Sequence, residues 1–170
     1  MGWGGDDGRS QTMTGRVLSS PFLLPAGRLL ALDLGQARIG VAACDELATL
    51  ATPLTVVRRR PTRAEDFAAL AALVAAEKAV GVLIGLPLDS AGQEGPQARW
   101  ARRYAGRLAG ALPAPVAFWD ESYSTVDAAG LVRGGRTPLD AAAAAVFLQS
   151  FLEAMRTRAS REAACGGEDS

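Results

Sequence analysis

Apolar positions along the chain fall into blocks with two periods. Leu29 to Leu34 is a short apolar run, interrupted by Asp33 and closed by Gly35; that pattern reads as a buried strand. Gly35-Gln36-Ala37 forms a tight turn, and Ile39 to Ala43 reads as a second strand, antiparallel because the connection is so short. Leu50 to Val57, with Thr55, Val56 and Val57, predicts a third. At Thr62 the period changes. Thr62-Arg63-Ala64-Glu65 has the form of a capping box, and Phe67, Leu70, Leu73 and Val74 follow at helical spacing to about Lys78. Val80 to Ile84 predicts a fourth strand, stopped by Gly85 and Pro87. A polar, Gly-rich loop leads to Gly95, and Pro96 suits the first turn of a helix that runs to about Leu112, before Pro113 and Pro115. Val116 to Trp119 predicts a fifth strand. Asp120 to Thr125 leaves it for a short helix ended by Gly134-Gly135, and a last helix spans Leu139 to about Arg156.

The order β-β-β-α-β-α-β-α-α predicts an α/β fold. Three meandering antiparallel strands followed by two parallel additions give a mixed five-stranded sheet flanked by helices. Residues 1–27 hold scattered Gly, Asp, Ser and Pro without apolar period and are expected to be a disordered or weakly docked extension, with Met13 as an alternative start. Residues 28–156 are the predicted folded domain, and 157–170, ending Gly-Gly-Glu-Asp-Ser, a flexible tail. A chain of 170 residues suits one domain. No apolar run approaches the roughly 18 residues of a membrane span, and no basic segment leads an apolar one as in a signal peptide. The expectation is a cytoplasmic protein with no membrane partner.

Composition narrows the chemistry. The chain has no histidine, which excludes Ser-His-Asp and Cys-His catalysis and His-ligated zinc. Cys44 and Cys165 stand far apart and form no Cys-x-x-Cys site. The formal net charge is zero, and Lys78 is the one lysine among 18 basic residues. Any attraction to polyanions must therefore come from the distribution of arginines.

Three carboxylate positions stand out. Asp33 interrupts a buried strand, where an ionised side chain is costly without a partner; as a turn former near Gly35 it would instead accept local N–H bonds. Asp120 and Glu121 follow the fifth strand, at the carboxyl end where α/β sheets place their ligands, and alternation puts one on each face; taken alone, such a pair is more often a solvated turn. Asp140 shares a helical face with Ala144, Phe147 and Phe151, the face expected to meet the sheet, while Thr137-Pro138-Leu139-Asp140 also fits a capping box. If the three converge, they repel unless cations neutralise them. Hard oxygen donors without His or Cys select Mg²⁺ or Mn²⁺, and two such ions suit phosphodiester hydrolysis.

Five segments then carry a resemblance. Leu32-Asp33-Leu34-Gly35-Gln36-Ala37-Arg38-Ile39-Gly40-Val41-Ala42, Ile84-Gly85-Leu86-Pro87-Leu88, Gly92-Gln93-Glu94-Gly95-Pro96-Gln97-Ala98, Trp119-Asp120-Glu121-Ser122-Tyr123-Ser124-Thr125, and Asp140-Ala141-Ala142-Ala143-Ala144 with Leu148-Gln149-Ser150 closely resemble the YqgF/RuvX family, in order, over about residues 28 to 156. The resemblance implies a ribonuclease H-like fold. It also implies a nuclease that processes the 5′ end of 16S rRNA precursor, or a Holliday-junction resolvase. It assigns the catalytic and metal-binding carboxylates to Asp33, Glu121 and Asp140. Two departures remove cations: Ser122 stands where the family commonly has Arg, and Gly134-Gly135-Arg136-Thr137-Pro138 replaces a lysine-rich segment.

The arginines are the second signal. Arg58, Arg59, Arg60 and Arg63 cluster between strand and helix; Arg99, Arg102, Arg103 and Arg107 share a helical face beside Trp100, Tyr104 and Leu108. A solvated face with the aromatics in the core explains them; phosphate positioning is the functional alternative. Arg38, just after the turn beside Asp33, is a candidate substrate contact, as are Arg99 and Arg103. Ser122 and Thr125 are candidates too, with helix capping as their other role. The predicted function is a metal-dependent nuclease acting on structured RNA precursor, or on branched DNA, as monomer or homodimer. Its rivals are a sugar-kinase or actin-type ATPase, which needs more chain than this, and a non-catalytic nucleic-acid adaptor.

Overall fold

The computed structural model describes residues 15–120 and 139–166. Five strands form one sheet: β1 (Leu29–Leu34), β2 (Arg38–Cys44), β3 (Ala51–Arg58), β4 (Gly81–Leu86) and β5 (Val116–Asp120). The spatial order is β3-β2-β1-β4-β5. β1 pairs antiparallel with β2 and β2 with β3, while β4 lies parallel to β1 and β5 parallel to β4. This is the predicted mixed sheet. Strands β1, β3, β4 and β5 point the same way, so their carboxyl ends share one end of the sheet.

Helices α1 (Arg63–Ala76) and α2 (Pro96–Ala109) are the crossovers, and α3 (Leu139–Cys165) is the last element described. The capping box of α1 forms as expected: Thr62 Oγ1 accepts from the Glu65 N–H at 3.3 Å, and the Thr62 N–H donates to Glu65 Oε2 at 3.2 Å. Leu30, Leu32, Leu34, Ile39, Val41, Val82 and Ile84 form one core with Leu70, Val74, Tyr104 and Leu108 of α1 and α2. Leu29, Ala31, Ala42, Leu83 and Ala117, on the opposite face, pack against Ala144, Phe147, Leu148, Phe151 and Leu152 of α3. Each large apolar side chain sealed in these layers contributes about 1.5–3 kcal/mol.

Two features go beyond the periodicity. α3 continues to Cys165 instead of stopping near Arg156. No Gly or Pro interrupts it before Gly166, Arg158 pairs with Glu162 one turn on at 3.0 Å, and the Arg158 guanidinium lies 4.7 Å from the Phe22 ring. The second feature is the segment before β1. Val17 bridges Val116 in parallel, and the Leu18 N–H donates to the Val116 carbonyl at 2.8 Å, so this segment covers the start of the β5 edge. Phe22 then packs on Trp119 and Phe151 at 6.1 and 5.7 Å between ring centroids. The short helix expected after Asp120, and the capping box at Thr137, lie outside the described residues. Among those described, no helix is long and apolar enough to cross a membrane.

Candidate functional site

The start of α3 reaches the sheet at a glycine that pairs with Asp33. Leu30, Leu32 and Leu34 of β1 face α1 and α2, whereas Leu29 and Ala31 face α3. Asp33 continues the second series, so it stands on the α3 face near the carboxyl end of β1. Its cross-strand partner on β2 is Gly40. A Cβ added to Gly40 would lie 2.0 Å from the Asp140 carbonyl oxygen and 2.8 Å from the Ala141 nitrogen. The first turn of α3 therefore rests directly on the strand beside Asp33, at a place only a glycine permits. Ala144, Phe147 and Phe151, the residues sharing Asp140's face, are buried against the sheet.

Arg38, at the start of β2, lies on the same face as Gly40. Its Nε is 3.5 Å from Asp140 Oδ2, and the two side chains are 59% and 41% exposed. The turn between the strands is closed by the Gly35 N–H, which donates to the Arg38 carbonyl at 2.9 Å.

Asp120 sits on the other face. It is in register with Leu86 of β4, and both Leu86 and Phe118 belong to the α1/α2 side. A cavity of about 660 Å³ lies there, with Asp120, Glu94, Arg102 and Phe118 in its wall. It is not the place where the start of α3 rests on Gly40. Within it Arg102 is ion-paired with Glu94, and its guanidinium covers the Phe118 ring at 4.8 Å. Glu121, Ser122 and Thr125 lie outside the described residues. Among the described residues no three Asp, Glu or Cys side chains gather as metal ligands. The Asp33–Asp140 seam still fits a hard divalent cation: its donors are carboxylate oxygens, and the cation beside Asp140 is a half-exposed arginine that can swing away.

A second acidic centre escapes the motif reading. Asp66, only 1% exposed, forms a 2.6 Å ion pair with Arg59 Nε, accepts the Arg60 N–H at 2.7 Å, and lies 3.5 Å from the Tyr104 hydroxyl. Arg59 Nη1 donates to the Gly35 carbonyl at 3.1 Å and its backbone N–H to the Ala37 carbonyl at 3.0 Å. This pair clamps the very turn that separates Asp33 from Arg38. The sequence held a signal for it, since Asp66 shares a helical stripe with Leu70 and Val74, both buried. Burial, with Asp66 close by, pushes the Tyr104 phenol up to about 12 even though Arg59 opposes the shift. Burial likewise raises the Cys44 thiol, which accepts the Leu29 N–H at 3.2 Å and is a core group. Arg99 and Arg103 are exposed on α2; Arg99 Nη1 donates to the Glu94 carbonyl at 3.2 Å.

Comparison with known proteins decides the family. The profile of RuvX, described as Holliday junction resolvase, matches residues 27–154. The chain belongs to the RuvX family. A RuvX relative from Anaeromyxobacter sp. (strain Fw109-5), described as "Putative pre-16S rRNA nuclease", is 44% identical over 133 residues, covering 74% of this chain and 96% of the relative. One from Cereibacter sphaeroides (strain ATCC 17029 / ATH 2.4.9), with the same description, is 48% identical over 102 residues, 60% of this chain and 63% of that protein. Among solved structures, T. thermophilus RuvC in complex with Holliday junction substrate superposes with a TM-score of 0.53 at 16% identity, covering 79% of this chain and 96% of that one. At that identity the likeness concerns the fold, and it agrees with the ribonuclease H-like sheet described above. RuvX membership places the chain among hydrolases that act on nucleic acid.

Proposed function

We propose that this chain is a divalent-metal-dependent nuclease of the cytoplasm whose substrate is the precursor of 16S rRNA, cut at its 5′ end. The observation that carries the reading is the Gly40 seam, which brings the start of α3 and Asp140 against the strand position paired with Asp33. The substrate follows from the description borne by the relatives that match nearly end to end. Asp33 and Asp140, with Glu121 as the third carboxylate, would hold Mg²⁺ or Mn²⁺. Two such ions, when bound, lower the pKa of water and offset the charge that develops on phosphodiester oxygens. The protein's own part is positional. Asp33 is fixed by the β1–β2 ladder and Asp140 by main-chain contact. Arg38 shares their face and is free enough to exchange Asp140 for a substrate phosphate. Asp120, committed to the opposite face, is left out of this set.

The family description favours a second reading, resolution of branched DNA. A symmetric resolvase cuts two strands and needs a dimer, whereas RNA trimming needs one protomer. The test incubates pure protein with ribosomal precursor RNA and with a four-way DNA junction, in Mn²⁺ and in EDTA, and maps the ends. We expect RNA cleavage that EDTA stops. In Asp33→Asn cleavage should be lost while nucleic-acid binding survives, because carboxylates make the chemistry and arginines the affinity. Cutting by Asp33→Asn at near wild-type rate would refute the metal assignment. Binding without cutting by the wild type would favour the adaptor.

A further inference from the structure

Between the start of α1 and the outer side of α2 lies a small cavity of about 200 Å³, lined by Arg63, Arg103, Arg107, Trp100 and Tyr104. Arg103 and Arg107 are one helical turn apart and project on the same side of α2. All three arginines are exposed. Arg28, Arg38, Arg59, Arg102 and Arg158 each have a carboxylate within 4 Å. Among the described residues, Arg63, Arg103 and Arg107 have none. Three cations around one small hollow repel one another, so the hollow favours a compact, multiply accepting anion.

The aromatic wall is braced from behind. Trp100 and Tyr104 stack with ring centroids 5.5 Å apart and planes 26° apart. The Arg59 guanidinium sits 4.7 Å from the Tyr104 ring and 5.6 Å from the Trp100 ring, and Phe67 meets Tyr104 edge-on at 5.3 Å. Arg59 also lines a second, shallower groove with Ala37, Arg38 and Arg58. Arg59 therefore touches the aromatic wall of the first hollow and lines the second, whose wall also holds Arg38, 3.5 Å from Asp140.

We propose that the Arg63–Arg103–Arg107 cavity is a remote phosphate site that takes one backbone phosphodiester of single-stranded nucleic acid, with the neighbouring base against Trp100. This rests on the nuclease reading and makes the cavity the anchor for the strand whose continuation reaches Asp33 and Asp140. A polymer is favoured over a free nucleotide because a second arginine-lined hollow, with Arg38 in its wall, offers a further phosphate position on the side of Asp140. The volume admits one phosphate group with part of its sugar, so the three arginines act on a single phosphate as a unit.

The test measures metal-free binding of a single-stranded RNA oligonucleotide across a salt series, for wild type and for Arg63→Gln, Arg103→Gln, Arg107→Gln and the triple variant. Each single change should weaken binding roughly tenfold, the scale of one lost charged hydrogen bond. The triple variant should be little worse than a single one, because the three serve one phosphate. The slope of log K against log salt should flatten by about 0.7, one phosphate's worth for a single strand. RNA should quench tryptophan fluorescence in wild type and not in Trp100→Phe. Adenosine monophosphate and inorganic phosphate should compete only at far higher concentration than the oligonucleotide. Wild-type affinity in the triple variant overturns the proposal. So does a slope flattened by about two, which means three independent contacts, or equal affinity for the mononucleotide, which means a nucleotide pocket. Cleavage is scored separately. If wild-type protein cuts RNA and the triple variant binds and cuts normally, this site alone falls. If nothing is cut while the binding effects appear, the nuclease reading falls and the site stands. Unchanged melting temperatures verify that the variants are folded.

Discussion

Two arginine–carboxylate pairs flank the turn between β1 and β2, and they differ in nearly every physical respect. Arg59 and Asp66 meet at 2.6 Å with Asp66 sealed from water, and the pair takes additional bonds from the Arg60 N–H and to the Gly35 carbonyl. Arg38 and Asp140 approach to 3.5 Å with both side chains well exposed. An exposed pair of that kind is worth at most about 1 kcal/mol, whereas a buried partner left alone is a severe liability. One pair therefore fixes backbone. The other leaves its carboxylate available to a cation and its guanidinium to a phosphate. Neighbouring charges of identical type divide between architecture and chemistry according to water access.

The contrast can be broken at its strong end first. Asp66→Ala should destabilise by about 3–5 kcal/mol, because it strands the Arg59 charge and the Arg60 N–H; urea unfolding reads this directly. A cost below about 1 kcal/mol would mean that the pair is as solvated as Arg38–Asp140. Gly40→Ala comes next. The added methyl has no room against the Asp140 carbonyl, so α3 must shift. A cost of about 1–3 kcal/mol is expected from overpacking, and the stabilisation by added Mn²⁺, measured as a melting shift, should vanish with it.

Asp140→Asn sharpens the weak end. As a metal-site carboxylate crowded by Asp33, its neutralisation should leave metal-free stability unchanged or slightly raised, shrink the Mn²⁺ shift and collapse cleavage. As a helix-start residue alone it would cost a few tenths to about 1 kcal/mol and leave cleavage intact. The smallest effect concerns Tyr104. Its folded pKa of about 12 lies above the ordinary phenol value of about 10, so folding favours the neutral form. That contribution is complete below about pH 10 and is lost as pH rises towards 12. Tyr104→Phe should therefore reduce the steepness of alkaline unfolding in this window, followed by circular dichroism, and an identical curve would remove Tyr104 from the buried network.

Much of this was readable from spacing. Strand alternation and helical period located the sheet, the two crossovers and the capping box at Thr62. The same α3 periodicity identified Phe147 and Phe151 as sheet-facing, and with them the side of the helix that carries Asp140. Arg59 was not readable. It sits among Arg58, Arg60 and Arg63 with nothing local to separate it, and its burial depends on Asp66 and Tyr104, seven and 45 residues away. The length of α3 was missed for a similar reason, because Arg158 reaches Phe22 from the far end of the chain. Gly40 was read only as a motif letter. Its meaning, close approach of a helix to a strand, exists only once both are folded.

The Gly40 contact also fixes what kind of change the protein tolerates. Both touching surfaces are main chain, so the spacing between the two acids inherits the dimensional tolerance of covalent backbone rather than that of any rotamer. Side chains deeper in the α3 layer can be exchanged for others of similar bulk without altering that gauge. Replacements at residue 40 cannot, since every alternative carries at least one carbon that the Asp140 carbonyl already excludes. A saturation library across β2 should accordingly show a sharp dip to a single permitted residue at that position, flanked by positions that accept several.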